Sequence, residues 1–119
     1  MTVPKFHKPG TVNGKWNYTP GADVDKGDIV DFTNNGIGIA LDDIDSGDVG
    51  AVARGGVWEV DKDTNLAISQ GDKLYWDSVN SWFDKTSSSQ SYAGIAEQDA
   101  ATTATRVYLD LCAYIPDQA

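Results

Sequence analysis

Few side chains in this chain could carry chemistry. His7 is the single histidine, and Pro4 and Pro9 bracket it. A Ser-His-Asp or Cys-His arrangement would have to be built on that proline-bounded segment. Cys112 is the single cysteine. It sits in an alternating apolar run near the end of the sequence, where a cysteine usually acts as a small hydrophobe. The densest polar cluster is Asp42-Asp43-Ile44-Asp45-Ser46-Gly47-Asp48. Clustered carboxylates suit calcium, but an EF-hand loop counted from Asp43 puts Asp48 where glycine is needed and Arg54 where a bidentate glutamate is needed. The cluster, and Asp61-Lys62-Asp63 after it, read as solvated acidic turns. Gly36-Ile37-Gly38 lacks the third glycine and the following helix of a phosphate-binding loop. Eighteen acids always offer carboxylate pairs, yet a short β domain leaves little room for the cleft a glycosidase needs. The expectation is a non-enzyme, with no catalytic residue, no metal site and no cofactor.

The elements that would have to position any site come next. The length, 119 residues, suits one domain. The formal charge is −9 and is unevenly placed. Residues 1–22 carry Lys5, Lys8 and Lys15 and no acid, while all eighteen acids lie in 23–119. An acidic body is repelled by phosphate backbones, which argues against nucleic-acid binding. No apolar run approaches the roughly 20 residues that span a bilayer, and Met1–Lys5 shows no apolar core of a secretory signal. A lone cysteine forbids an intrachain disulfide and fits a reducing compartment.

Glycine, proline and Asp/Asn/Ser clusters break the body into short segments rich in Val, Ile, Trp, Tyr and Phe. Helical periodicity never persists, so the pattern predicts many short strands. They are expected at Asp28–Phe32, Ile37–Leu41, Gly50–Val60, Lys73–Asp77, Ser81–Phe83, Tyr92–Ala96 and Arg106–Tyr114. Gly55-Gly56 inside the longest marks a bulge or a close backbone approach. In the last, Val107, Leu109, Leu111 and Ala113 share one face. A motif recurs as Val24-Asp25-Lys26-Gly27-Asp28, Ile44-Asp45-Ser46-Gly47-Asp48 and Ile68-Ser69-Gln70-Gly71-Asp72. Each is a turn whose glycine can take positive φ, with a branched residue to anchor it. The fold class is therefore all-β: one small barrel or sandwich of short antiparallel strands, residues 23–119, preceded by an extended N-terminal arm, residues 1–22.

In that arm Pro4, Pro9, Pro20, Gly10, Gly14 and Gly21 speak against regular structure. Val3, Phe6, Val12, Trp16 and Tyr18 are nevertheless too apolar for a solvated tail. The arm needs a surface to lie on, its own body or another subunit. In Tyr75-Trp76 and Trp82-Phe83 neighbouring side chains face opposite ways, so one ring of each pair is expected outside the core. Exposed aromatic rings serve protein interfaces and also sugar-binding surfaces.

The order of pieces in the body is distinctive. Gly27-Asp28-Ile29-Val30 leads to Gly38-Ile39-Ala40-Leu41 and Ile44-Asp45-Ser46-Gly47-Asp48-Val49-Gly50. Gly55-Gly56-Val57-Trp58-Glu59-Val60 follows, then Gly71-Asp72-Lys73-Leu74-Tyr75-Trp76-Asp77, Gly94-Ile95-Ala96 and Arg106-Val107-Tyr108-Leu109. Over roughly residues 20–112 this resembles the capsid cement, or head decoration, proteins of tailed phages. The resemblance implies a structural virion protein without catalytic residues, bound in many copies to the outside of a capsid. It would be made in the host cytoplasm and located on the virion, with the major capsid protein as partner and self-association as a trimer rather than a dimer. It assigns no site residues. The charge split and the apolar arm do: Phe6, Val12, Trp16 and Tyr18 for the shell contact, Lys5, Lys8 and Lys15 for steering. The rival reading is a carbohydrate- or host-surface-binding module using exposed tryptophans.

Overall fold

The computed structural model describes residues 3–113. Ten strands and one short 3-10 turn follow in order: β1 Lys5–Lys8, β2 Lys15–Tyr18, β3 Ile29–Asp31, the turn Thr33–Asn35, β4 Ile37–Ala40, β5 Gly50–Ala53, β6 Val57–Asp61, β7 Lys73–Asp77, β8 Trp82–Asp84, β9 Ser91–Ala96 and β10 Arg106–Leu111. They form two antiparallel sheets, one ordered β1-β6-β10-β9-β7-β8 and one ordered β2-β5-β4-β3. A single parallel bridge from Lys62 to Phe83 brings the β8 edge back to the end of β6. The larger sheet thus curls towards closure and the smaller one packs against it.

Period-two alternation decides what goes inside. Ile29, Ile39 and Ala53 of the small sheet join Trp58, Val60, Leu74, Phe83, Val107, Leu109 and Leu111 in the main core. Their neighbours Val30, Ala40 and Val52 point the other way, into a second cluster with Ile44 that Tyr18, Val24 and Phe32 cover. At the seam of the curled sheet, Lys62 is 1% exposed. Its ammonium donates to the carbonyls of Asp63 at 2.8 Å and Ala104 at 3.0 Å. Desolvation lowers its pKa, with Asp63 pulling the other way.

The three recurring motifs are the corners of the fold. Gly27, Gly47 and Gly71 have φ of 89°, 85° and 91°, the left-handed values a type II turn requires at its third position. The Asp after each glycine donates its N–H back to the first turn residue, Asp25, Asp45 or Ser69, at 2.9–3.0 Å. In the first and third turns its carboxylate also accepts that residue's own N–H. The anchoring branched residues are paired: Val24 with Ile44, and Ile68 with Ala100. Asp43 accepts the Lys26 N–H at 2.8 Å, as Asp99 accepts that of Gln70 at 2.7 Å. Gly27 donates to Ala40 as Gly71 donates to Ala96, both at 2.8 Å.

These coincidences make an internal structural repeat. Strands β2, β3, β4 and β5 correspond to β6, β7, β9 and β10, and the order β2-β5-β4-β3 maps onto β6-β10-β9-β7. The larger sheet is the same unit with β1 added beside β6 and β8 added beside β7. The short turn motif was legible in the sequence; the strands between its copies differ too much for the repeat to be.

Two expectations change. The expected strand Gly50–Val60 is two strands in different sheets, because the chain crosses over at Arg54-Gly55-Gly56. Residues 1–22 were expected to form an extended arm without regular structure, on its own body or another subunit; they lie on their own body and supply β1 and β2, one edge strand for each sheet. The prolines did not prevent this, because Pro4, Pro9 and Pro20 fall just outside the strands, where no ladder donor is needed. The last strand ends at Leu111, Cys112 leaves it with φ 60°, and Tyr114 lies outside the described residues.

Candidate partner-binding face

β1 lies along β6 with Phe6 opposite Trp58. The two rings meet edge to face at 5.4 Å. Trp58 is buried and donates its indole N–H to Gly55 O at 2.9 Å; Phe6, on the open edge, stays 58% exposed. His7 turns to the opposite face and stacks on Tyr108 at 4.5 Å. Lys8 reaches Glu97 at 3.1 Å. That contact, chiefly the Lys8 hydrogen bond, lowers the Glu97 pKa. Lys8 is therefore engaged with its own body, whereas Lys5 and Lys15 form no ion pair among the described residues.

The link between β1 and β2 is pinned from beneath. Buried Asp110 on β10 accepts the Thr11 N–H at 3.0 Å on Oδ1 and the Thr11 hydroxyl at 2.6 Å on Oδ2. Asn13 closes the loop, accepting from Gly10 N and donating to Gly10 O, both at 2.9 Å. The loop then passes directly over Gly55-Gly56. Gly56 donates to Val12 O at 2.7 Å, and a Cβ on Gly55 would stand 2.1 Å from that oxygen. The glycine pair is thus a close backbone approach, with Gly56 at φ 92°.

On β2, Trp16 meets Phe32 at 5.1 Å and Tyr18 meets it at 5.7 Å. The Arg54 guanidinium lies 3.7 Å from the Trp16 ring centroid and 4.8 Å from that of Phe32. Arg54 is 6% exposed and donates to Asn35 O. Its Nε and Nη1 are buried without a hydrogen-bond partner. Trp16 is 47% exposed above it. Between the two strands the sheets part into an apolar groove of about 390 Å³, lined by Phe6, Lys15, Leu41, Ala53 and Trp58 among others.

Phe6 and Lys15 come together on the groove, Val12 lies on the loop over Gly55-Gly56, and Trp16, opposite Val52, stands on the other face of β2 over Phe32 and Arg54. Tyr18 is drawn partly in beside it against Phe32, and Lys5 stands on β1 beside Glu59. Arg54, the support under Trp16, was missed in the sequence. The expected strand Gly50–Val60 held Arg54 in its interior, and only the pairing of β2 with β5 puts an aromatic ring on it. Other candidates are engaged elsewhere. Cys112 is buried, its thiol pKa raised by desolvation, and its Sγ lies 3.2 Å from Ile37 O. Asp43 of the acidic cluster caps the Lys26 amide. Of the tryptophans, Trp58 and Trp76 are buried and Trp82 is partly so, which leaves Trp16 as the ring available to a partner. Trp76 and Phe83 are the buried members of the two aromatic pairs.

An all-β chain of two packed sheets, with apolar side chains gathered on its edge strands and its lone histidine and cysteine engaged in packing, has the form of a structural interaction protein. The phage cement protein family model matches residues 7–111, and the chain belongs to that family, as a structural protein of the phage capsid. No curated protein and no solved structure matches the chain.

Proposed function

We propose that this protein binds the outer surface of its phage capsid and reinforces the shell, with the β1–β2 face as the contact. One observation carries the assignment of the face. Four of the six exposed large hydrophobics among the described residues, Val3, Phe6, Val12 and Trp16, lie on the one segment that supplies β1, β2 and the loop between them, a concentration of exposed apolar side chains that suits a partner-binding surface. Lys5 and Lys15 flank it and attract an acidic surface. Phe6, Val12 and Trp16 make the contact, Tyr18 supports it from the rim, and Lys8 contributes less because Glu97 holds it. The mechanism is mechanical: each copy bridges neighbouring coat subunits weakly, and many symmetric copies together resist the outward pressure of packaged DNA. Self-association as a homotrimer fits such sites, and light scattering over a dilution series tests it. For the main proposal, shells lacking this protein are heated with and without saturating purified protein. The reading requires a higher disruption temperature with the protein; an unchanged temperature at full occupancy would remove reinforcement from the account.

A further inference from the structure

The repeat makes β2 the counterpart of β6, and the outer side of β6 is occupied by β1. The outer side of β2 is not occupied by any described strand. Arg54 donates to Gly14 O and Trp16 stands opposite Val52. Antiparallel pairing alternates hydrogen-bonded and non-bonded pairs, so the backbone groups of Gly14, Trp16 and Tyr18 turn towards β5. Those of Lys15 and Asn17 turn outward.

Exposed sheet edges are normally blunted by bulges, short strands or inward charges. β1 carries a register shift between Phe6 and Lys8. β3 and β8 are three residues each and end in Asp31 and Asp84. β2 keeps regular register over four residues, Lys-Trp-Asn-Tyr, without proline or bulge, and its one edge charge is Lys15 at the strand's start.

We propose that the open edge of β2 takes an extended segment of the coat protein as an added antiparallel strand, in the place β1 holds on β6. Lys15 and Asn17 supply the backbone donors and acceptors. Trp16 packs on one face of the incoming strand, and the groove between Phe6 and Ala53 takes an apolar side chain from its other face. The segment is acidic, because Lys15 at this edge forms no ion pair among the described residues. This rests on the reading that the β1–β2 face meets the capsid, and it adds the mode of contact.

The test uses full-length protein and shells of the encoding phage that lack it. Asn17→Pro removes an outward N–H that β5 does not use, so the fold should survive, as unchanged circular dichroism and a cooperative melt would report. Asn17→Thr keeps the N–H and is the control. Trp16→Ala probes the face without touching the backbone. Strand addition predicts at least tenfold weaker binding for both Asn17→Pro and Trp16→Ala, near-normal binding for Asn17→Thr, and slowed exchange of the Lys15 and Asn17 amides on the shell. Loss with Trp16→Ala but normal binding by folded Asn17→Pro overturns strand addition and leaves the docking face standing. Normal binding by both variants removes the face itself. If Asn17→Pro proves unfolded, the amide exchange decides alone: unprotected Lys15 and Asn17 amides in the bound wild type overturn the proposal. A solution oligomer of the wild type that Asn17→Pro dissolves gives the edge to a second copy and equally overturns it.

Discussion

Replacing Asp110 by alanine should loosen the β1–β2 link from beneath while leaving the core intact. The Asp110 carboxylate accepts two hydrogen bonds from Thr11 and lies against Gly10, where a Cβ would meet its Oδ1 at 2.3 Å. Hydrogen bonds to charged groups contribute roughly 1.5–3 kcal/mol each, so the gross loss for two is about 3–6 kcal/mol. Some is returned. Thr11 lies near the surface and can bond water instead, and each loop residue set free recovers about 1 kcal/mol of backbone entropy. The net destabilisation expected in urea unfolding is about 2 kcal/mol. Thr11→Val keeps the N–H bond and loses only the hydroxyl one, for about 1 kcal/mol. Native-state hydrogen exchange locates the effect: the Gly56 and Arg54 amides, which donate to Val12 and Gly14, should exchange faster in Asp110→Ala, while that of Leu109 in the core keeps its protection. Asp110→Ala unfolding within about 0.5 kcal/mol of wild type, with Gly56 protection unchanged, would refute the claim that this carboxylate holds the β1–β2 link.

Three further outcomes follow from the same geometry. Arg54→Met should unfold within about 1 kcal/mol of wild type, because losing the Asn35 bond and the ring contacts is offset by no longer burying Nε and Nη1 unpaired; Arg54→Ala, which also leaves a void under Trp16, should cost about 3 kcal/mol by chemical denaturation. Tyr92 donates to Ala113 O at 2.7 Å and is buried, and desolvation pushes its pKa up to about 12 from 10.0. Above the unfolded value the folded state holds a proton the unfolded chain releases, so this contribution is complete below pH 10 and lost as pH rises to 12. The loss is about 3 kcal/mol, and the wild-type minus Tyr92→Phe difference in unfolding free energy should shrink by that much over this window. Gly71→Ala meets no atom within 4 Å and should lose only about 1–2 kcal/mol for its positive φ; Gly27→Ala, whose Cβ would stand 2.3 Å from Val3 Cγ1, should melt lower still.

Much of the fold was legible because it rests on local rules. The three Gly-Asp turns announced their corners through positive-φ glycine, and Arg106–Leu111 announced its buried face through strict alternation. The N-terminal segment was misjudged because its prolines sit at strand boundaries, where they cost nothing, and because strand pairing with β5 and β6 is a long-range fact absent from local pattern. The same limit hid the split at Arg54-Gly55-Gly56, where an unbroken alternation runs through a change of sheet. The exposure of Phe6 and Trp16 was foreseeable because aromatics in a proline-bounded segment have few local residues to pack against. Arg54, Asp110 and Phe32, which hold that segment in shape, act across the sheets and left no local signal.

The most direct test of the capsid-binding account is a binding isotherm on shells lacking the protein, comparing wild type with the Phe6→Ala/Trp16→Ala double variant. The account predicts that wild type saturates at a fixed ratio to coat subunits, and that the folded double variant binds at least tenfold more weakly. Wild type that fails to saturate the shells, or a double variant that binds them equally well, would contradict it.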